Sequence, residues 1–260
     1  MSDLDVSTDG SVAWLVYNRP SVLNALTPAL LSDLIDTCSE LARKDSLKVV
    51  AFKGAGGSFS AGADLPAFLE RLQGSAPRET ADLGRLATNA VAALPQVTVA
   101  AVRGHCVGGG LVLAGACDVR IGADDARFMI PELDAGIPLA WGGMEHLIRL
   151  VGETLAADLV LSCRPFGAEE ALRGGLISRV VPLDRFEAEL DELVAAVARK
   201  PLSVLRVTKQ QLLAVRGNRF DARNDADALL GSLADPDAVK LGQAYVESRI
   251  LDAGTRQGER

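Results

Sequence analysis

Two glycine-rich stretches are the parts of this sequence best suited to hold a reacting group with the backbone. They are FSAGADL at 59–65 and CVGGGLVLAGACDV at 106–119. Glycine has no Cβ, so a ligand can approach the main-chain N–H groups closely, and the first N–H groups of a helix have no intrahelical acceptor. Two such loops can supply two donors to one carbonyl oxygen, an oxyanion hole for a thioester or ester. Two ordinary strand-to-helix turns are the alternative interpretation.

Other catalytic and cofactor motifs do not fit this sequence. The stretch GGGLVLAGA matches neither G-x-G-x-x-G nor the phosphate loop, which needs a lysine after its last glycine. This mismatch disfavours a dinucleotide-dependent oxidoreductase. His105 and His146, the two histidines, have no metal-ligand spacing, and neither stands in a pattern with Cys or Asp that would suggest a catalytic triad. We therefore interpret both as structural or surface residues and predict no metal site.

Composition and charge limit the class of protein. Hydrophobic residues make up 48% and charged residues 23% of the 260 residues, which is typical of a globular protein. The net charge of −7 disfavours a nucleic-acid partner. No apolar run approaches the roughly 18 residues of a membrane span, and the acidic start MSDLDVSTDG does not resemble a signal peptide. We therefore predict a cytoplasmic protein with no membrane partner, its four cysteines reduced and in the core.

Strands and helices alternate along the first part of the chain. Three segments rich in β-branched and apolar residues predict buried strands, at 11–17, 47–53 and 97–102. A helix is expected after Thr27, because a threonine cap followed by Pro28 is a typical helix start, and another is expected at 81–94. This alternation predicts an α/β fold with a parallel sheet. From 184 to 251 the apolar period is almost entirely helical.

Several stretches together carry a family resemblance. NRPSVLNAL, FSAGADL, VRGHCVGGG, PELDAGI and AEEALRGGLISRVV occur in an order and spacing that resembles the crotonase superfamily, the enoyl-CoA hydratase/isomerase fold. The resemblance extends over roughly residues 5–215. It implies an α/β, crotonase-type ββα spiral core with the acyl-CoA site at 1–200 and a helical C-terminal trimerisation region at 201–260. It further implies a coenzyme A thioester as substrate, no separate cofactor, and a homotrimer or a hexamer built as a dimer of trimers.

The resemblance also assigns candidate site residues. The oxyanion-hole N–H donors correspond to Ala63 and Gly109, and the catalytic carboxylate of the PE pair corresponds to Glu132. Residues expected to contact the coenzyme A thioester are Ser21, Leu23, Ala25, Ala61, Asp64, Leu65, Val112 and Trp141. Among these, Ser21, Leu23 and Ala25 would lie near the adenine and pantetheine. Trp141 would restrict the acyl pocket, with a simple packing role as the alternative.

Some polar residues are expected to act elsewhere in the fold. Asp64 is also expected to cap the helix that follows it, and Asp118 is expected to satisfy buried backbone groups. In the C-terminal region, Lys209 and Phe220 are candidates to reach coenzyme A of the same or a neighbouring subunit.

One carboxylate of the family hydratases is missing. Hydratases that resemble this sequence carry a glutamate two residues beyond the last glycine of GGG, where this chain has Val112. A lone carboxylate, Glu132, can still remove an α-proton and return it elsewhere, which favours isomerisation of 3-enoyl-CoA to 2-enoyl-CoA. Asp134 and Glu145 are possible substitutes, although a solvated or helix-capping role is expected for each. The aspartate that dienoyl-CoA isomerases carry corresponds to Ala140, which disfavours that reaction.

Four alternatives stay open on sequence grounds. They are a hydratase that works with Glu132 alone, another crotonase reaction such as thioester hydrolysis or decarboxylation, a non-catalytic acyl-CoA binding protein, and the disfavoured oxidoreductase.

Overall fold

The computed structural model describes residues 2–217, 219 and 225–258. The chain divides into two compact units, residues 1–195 and 196–260. In chain order the first half contains β1 (Leu4–Asp9), β2 (Val12–Tyr17), α1 (Pro28–Ala42), β3 (Val49–Gly54), α2 (Leu65–Leu72), α3 (Pro77–Ala92), β4 (Val97–Val102), β5 (His105–Val107), α4 (Gly109–Ala116), β6 (Val119–Ala123) and β7 (Arg127–Met129). There follow α5 (Gly143–Val151), α6 (Glu153–Ser162), β8 (Phe166–Gly167), α7 (Ala168–Arg173), β9 (Arg179–Val181), α8 (Phe186–Ala198), α9 (Leu202–Arg216), α10 (Asp225–Leu233) and α11 (Pro236–Gly258).

The first unit is built on two sheets. Six strands form the larger sheet in the order β1-β2-β3-β4-β6-β9, in which β1 runs antiparallel to β2 and the other neighbours are parallel. The smaller sheet has the order β5-β7-β8. Parallel strands require crossover connections, which here include helices. The predicted α/β class is therefore confirmed.

The parallel order brings the two glycine loops to one edge of the large sheet. The loop 55–64 leaves the carboxyl end of β3, and β5 and the start of α4 follow the neighbouring β4. Two backbone hydrogen bonds join the loops: the Ser60 N–H donates to the His105 carbonyl at 2.9 Å, and the Val107 N–H donates to the Ser60 carbonyl at 3.0 Å. The topology thus places both candidate donors side by side.

The helix predicted after Thr27 is confirmed. The Thr27 hydroxyl accepts from the Leu30 N–H, Pro28 occupies the first helical position, and α1 buries one apolar face comprising Pro28, Leu30, Leu31, Leu34, Cys38 and Leu41.

At the end of β2, Tyr17 packs edge-on against Phe59 with ring centroids 5.5 Å apart. All four cysteines are buried. This core fixes the loop that carries Phe59.

The structure differs from the sequence-based elements in three places. Strand β1 was not expected, because five of its six residues are exposed and show no apolar alternation. The strands of the small sheet are too short, two or three residues each, for a recognisable pattern. Helix α3 begins at Pro77, four residues before the predicted start. The helical C-terminal region is confirmed for the described residues by α9, α10 and α11.

The described residues contain neither a membrane-spanning helix nor a cluster of metal-binding side chains. None of the helices found there is long and apolar enough to cross a membrane. The same residues contain no group of three or more His, Cys, Asp or Glu side chains that could hold a metal ion.

Candidate active site

The two glycine loops approach each other so closely that a side chain would not fit between them. Gly62 has a φ of +90°, and a Cβ built on it would lie 2.8 Å from the Val107 carbonyl oxygen and 3.5 Å from the Gly109 nitrogen. Both the left-handed backbone and the close approach require glycine. Gly62 therefore holds its neighbour Ala63 beside the start of α4.

The Ala63 N–H is directed away from the strand segment that holds the loop. Leu26 and Ala63 form an isolated parallel bridge. Its two hydrogen bonds use the flanking residues: Leu26 donates to the Gly62 carbonyl at 2.8 Å, and Asp64 donates to the Leu26 carbonyl at 2.9 Å. Because N–H groups alternate in direction along an extended chain, the Ala63 N–H faces the opposite side.

The second candidate donor is the first residue of a helix. Gly109 begins α4, after Gly108 at a φ of +49°, and the Gly108 N–H donates to the Met129 carbonyl at 2.9 Å. The Gly109 N–H has no acceptor within its helix, and the positive end of the helix dipole lies at the same point. A developing negative charge on a carbonyl oxygen would be stabilised there.

Both donor residues face one apolar cavity, which we call the central cavity. Its volume is about 280 Å³, and it is lined by Ala63, Leu65, Phe68, Leu69, Leu72, Ala81, Gly109, Val112, Glu132, Ile137, Pro138, Leu139, Ala140 and Trp141. Glu132 is the one ionisable side chain in this lining. A mostly apolar pocket with a few convergent polar groups is the usual form of a small-molecule site.

The carboxylate of Glu132 lies beside the oxyanion-hole residues. A Cβ built on Gly108 would be 2.7 Å from Glu132 Oε1, so the carboxylate nearly touches the residue before Gly109. Its Oε2 atom is buried and has no hydrogen-bond partner among the described residues. Burial raises the pKa of Glu132, and a hydrogen bond with its own backbone opposes part of this effect. An unshared carboxylate oxygen in apolar surroundings is well suited to accept a proton.

Val112 also lines the central cavity, and no described residue of the lining besides Glu132 supplies a carboxylate in place of the glutamate expected at position 112. Val112 is 2% exposed, and a Cβ built on Gly143 would lie 2.6 Å from its Cγ2 atom. Neither proposed substitute lines the cavity. Asp134 is exposed, and the Glu145 side chain, 79% exposed, pairs with Arg149 at 3.6 Å.

The residues predicted near coenzyme A lie together at the edge of the glycine loop. The Ala61 N–H donates to the Leu23 carbonyl at 2.8 Å, and the Arg19 guanidinium donates to the Ala25 carbonyl at 2.6 Å. Ser21 and Leu23 are exposed. They precede Leu26, which pairs with Ala63, so this segment reaches the site. Its contact with coenzyme A stays a prediction.

Asp64 and Asp118 have the structural roles expected of them. Asp64 Oδ1 accepts from the Ala67 N–H at 3.3 Å and caps α2, while its Oδ2 accepts from Arg19 at 2.9 Å. Asp118 Oδ2 accepts from the Thr98 N–H at 2.8 Å and from the Thr98 hydroxyl at 3.0 Å. Both capping and backbone satisfaction are therefore confirmed, whereas substrate contact by Asp64 stays a prediction.

The two histidines do not line the central cavity. His105 Nδ1 lies 3.2 Å from the Ser58 hydroxyl, and His146 Nδ1 lies 2.6 Å from Arg149. Lys209 is buried in α9 of the second unit, and Phe220 lies outside the described residues.

Sequence reasoning missed most of the apolar wall of the cavity. Helix α2 contributes Leu65, which was a predicted site residue, and Phe68, Leu69 and Leu72, which were not. These are positions i, i+3, i+4 and i+7, a spacing that places them on one face of a helix. That spacing was readable from the sequence. The contributions of Ala81 and of the loop 137–139 depend on tertiary packing and left no such signal.

The central cavity thus combines one carboxylate with two candidate backbone donors, and the comparisons with known proteins identify the family of the chain. The family of enoyl-CoA hydratases/isomerases matches residues 7–252. The chain belongs to this family, and its fold is the crotonase fold predicted from the sequence.

Similar proteins match along nearly the whole chain. It is 34% identical over 243 residues to the crotonyl-CoA hydratase of Syntrophomonas wolfei, which covers 92% of each chain. It superposes on the enoyl-CoA hydratase of Bacillus anthracis with a TM-score of 0.86 at 29% identity, covering 95% of this chain and 97% of that one. A putative enoyl-CoA hydratase of Thermobifida fusca, solved in complex with acetoacetyl-CoA, gives a TM-score of 0.82 at 31% identity, covering 89% and 95%.

Proposed function

We propose that this acyl-CoA enzyme converts 3-enoyl-CoA into 2-enoyl-CoA, with Glu132 as the single acid and base. One observation carries the proposal. Glu132 lines the central cavity and has one buried carboxylate oxygen without a hydrogen-bond partner among the described residues, and Val112 stands in the same lining where a second acid would be needed to activate water. A site with one carboxylate and no second acid favours proton relocation over addition of water.

The chemistry moves one proton and one double bond. The thioester oxygen accepts hydrogen bonds from the Ala63 and Gly109 N–H groups, which stabilise the negative charge that develops there. Glu132 removes a proton from C2, and the electron pair of the C–H bond delocalises onto the thioester oxygen. The same carboxyl group then protonates C4, the C3=C4 double bond becomes C2=C3, and Glu132 returns to its ionised form. No water or further cofactor is consumed.

A hydratase that works with Glu132 alone is the second candidate. The names of similar proteins favour it, since the Syntrophomonas wolfei relative is a crotonyl-CoA hydratase. Hydration would require Glu132 to deliver water to C3 and a proton to C2 within one apolar cavity. Isomerisation needs only the carboxylate and the two N–H donors, which is why we favour it.

The test is α-proton exchange in D₂O, followed by mass spectrometry of a saturated acyl-CoA. We expect the native protein to exchange deuterium into C2 and the Glu132→Gln variant to lose at least about 100-fold of this rate. The matched control is Glu145→Gln, an exposed glutamate that pairs with Arg149, and it should exchange at the native rate.

Product analysis separates the remaining reactions. Incubation with a 3-enoyl-CoA should give 2-enoyl-CoA, and incubation with a 2-enoyl-CoA should give little 3-hydroxyacyl-CoA. The opposite pattern would establish the hydratase. Release of free coenzyme A would indicate hydrolysis, and loss of carbon dioxide from a 2-carboxyacyl-CoA would indicate decarboxylation. Tight acyl-CoA binding without exchange or turnover would establish a binding protein and overturn the proposal.

We also propose that the chain assembles as a homotrimer or a dimer of trimers. The second unit supports this, because α10 and α11 carry several exposed apolar side chains: Leu229, Leu230, Leu233, Leu241 and Val246. Light scattering after gel filtration measures the mass directly, and a mass of 27.3 kDa, that of one chain, would contradict the proposal.

A further inference from the structure

The indole of Trp141 is wedged between two helices at points where only glycine fits. A Cβ built on Gly84 of α3 would overlap the Cδ2, Cε2 and Nε1 atoms of the indole. A Cβ built on Gly109 of α4 would overlap Cζ3 and would lie 2.7 Å from Cη2. Opposite ends of the same ring system therefore rest on the backbones of two different helices.

The loop that carries Trp141 holds the ring in this place. Trp141 has a φ of +60°, a left-handed conformation that is costly for a bulky residue and persists only where the surroundings fix it. Phe68 of α2 packs against the indole with ring centroids 5.9 Å apart and planes inclined by 39°. Three helices thus determine one side-chain position.

That position faces the first carbons of a bound acyl group. The Cη2 atom lies within about 4.2 Å of the Gly109 Cα, because a Cα–Cβ bond adds about 1.5 Å to the distance above. Gly109 is a candidate donor to the thioester oxygen, and Glu132 lies beside the preceding Gly108. The ring therefore borders the space in which C2 to C4 must lie for Glu132 to reach them.

The rest of the acyl chain has an open apolar path along α2. Leu65 and Leu72 both line the central cavity, and seven residues of helix separate them by about 10 Å. Leu69, which lies between them, is 57% exposed, and Ile137 on the facing loop is 44% exposed. An exposed apolar groove that continues from a reaction site fits an unbranched hydrocarbon tail.

We propose that Trp141 is the specificity-determining residue that admits acyl groups unbranched near the thioester and excludes those branched at C2 to C4. The proposal rests on the proposed acyl-CoA site. It does not require that the reaction be isomerisation. Chain length beyond C4 is limited by the open groove and not by the indole.

Binding of two isomers tests this without turnover. Hexanoyl-CoA and 2-ethylbutanoyl-CoA have the same atoms and differ only in branching at C2, and both are saturated. By titration calorimetry we expect the native protein to bind hexanoyl-CoA at least about 10-fold more tightly, which is the usual scale for a misplaced alkyl group in a pocket. In Trp141→Gly, which suits the left-handed φ, the two affinities should agree within about threefold.

A second variant displaces the indole from its position without changing Trp141 itself. Gly84→Ala places a methyl group where the indole lies, so the ring must leave its position, and the preference should fall as in Trp141→Gly. If either variant fails to fold, Trp141→Leu, which keeps an apolar side chain, gives the same comparison. Equal binding of both isomers by the native protein, an unchanged preference in the folded variants, or no binding of either isomer would each overturn the proposal.

Fluorescence tests the contact itself. The chain contains two tryptophans, and Trp14 lies on β2, outside the central cavity. In Trp14→Phe, Trp141 is the single emitter. Hexanoyl-CoA should change its emission spectrum, whereas coenzyme A without an acyl group should not. Identical spectra with both compounds would show that the acyl group does not meet the indole. Loss of α-proton exchange with these binding results intact would overturn the isomerase proposal alone.

Discussion

The central cavity and a second depression on the same unit differ in whether the glutamate that lines each of them is paired with cations. The second depression, which we call the β2 cleft, is larger, at about 540 Å³, and is lined by Ser7, Asp9, Val12, Trp14, Val16, Lys53, Glu187, Asp191, Val194 and Ala195. Lys53 pairs with Glu187 at 3.0 Å and lies 5.3 Å from the Trp14 ring centroid. Arg103 adds a second cation to Glu187 at 3.5 Å.

The central cavity, at about 280 Å³, is half as large, yet it holds the more reactive group. Glu187 is half exposed and balanced by two cations, so its charge is already satisfied. Glu132 is in apolar surroundings with one oxygen unpartnered. On the function proposed above, chemistry depends on an unsatisfied polar group held next to preformed donors, and not on the size of the depression.

The largest expected effect comes from shortening the Glu132 side chain by one carbon. Glu132→Asp keeps the charge but withdraws the carboxylate by about 1.5 Å, and a displacement of about 1 Å can cost about 100-fold in rate. We expect α-proton exchange to fall by about that factor. Glu187→Asp, the matched change in the β2 cleft, should leave the exchange rate within twofold. Equal effects of the two changes would show that the comparison between the sites is wrong.

A smaller effect is expected from the loop that holds Ala63. Asp64→Ala removes both the cap of α2 and the ion pair with Arg19, so the free energy of unfolding in urea should fall by about 1 to 2 kcal/mol. The control Asp82→Ala breaks a pair with Arg85 on the surface of α3 and should change it by less than about 0.5 kcal/mol. A cost for Asp82→Ala as large as that for Asp64→Ala would contradict the cap as the cause.

The burial of Glu132 predicts opposite effects on activity and on stability. Because burial raises its pKa, the ionised base is lost at a higher pH than for an ordinary glutamate, so kcat/KM should fall on the acidic side through that raised pKa. The same shift means that ionisation opposes folding. The penalty is absent below the pKa of the unfolded chain, grows as the pH rises from that value towards the raised pKa of the folded state, and is constant above it.

Glu132→Gln should therefore be more stable than the native protein at pH 7. The advantage should shrink towards zero near pH 3, where the native carboxyl is protonated in both states. Thermal unfolding at the two pH values measures this difference. A variant that is less stable at pH 7 would show that the carboxylate is satisfied in the folded state.

Residues that act within a few positions of each other predicted the helices and buried strands well, and the missed strands depend on contacts between distant parts of the chain. Thr27 and Pro28 predicted α1 because a cap and a first-turn proline act within a few residues. Strand β1 was missed because its pairing with β2, and not its own burial, makes it a strand. The small sheet joins β5, β7 and β8, whose two or three residues each carry no period.

The site divides in the same way. Ala63, Gly109, Glu132 and Val112 were found because they fall in stretches that resemble a family. The packing of the Trp141 indole against a helix backbone was not predicted. It depends on Gly84, which lies 57 positions earlier in the sequence, in a helix that contacts the indole. A glycine within a helix gives no sign of which side chain it accommodates.

The smallest effects are expected in the β2 cleft, and they complete the comparison. Glu187→Gln removes the partner of both Lys53 and Arg103, but exposed ion pairs contribute little because water and salt screen them. We expect the free energy of unfolding to change by less than about 0.5 kcal/mol, and the affinity for hexanoyl-CoA to stay within twofold of native. Urea unfolding and titration calorimetry measure the two quantities. A large loss of acyl-CoA affinity would mean that the β2 cleft takes part in binding although its charges are paired. The pairing of charged groups would then not distinguish a binding site from a structural depression in this protein.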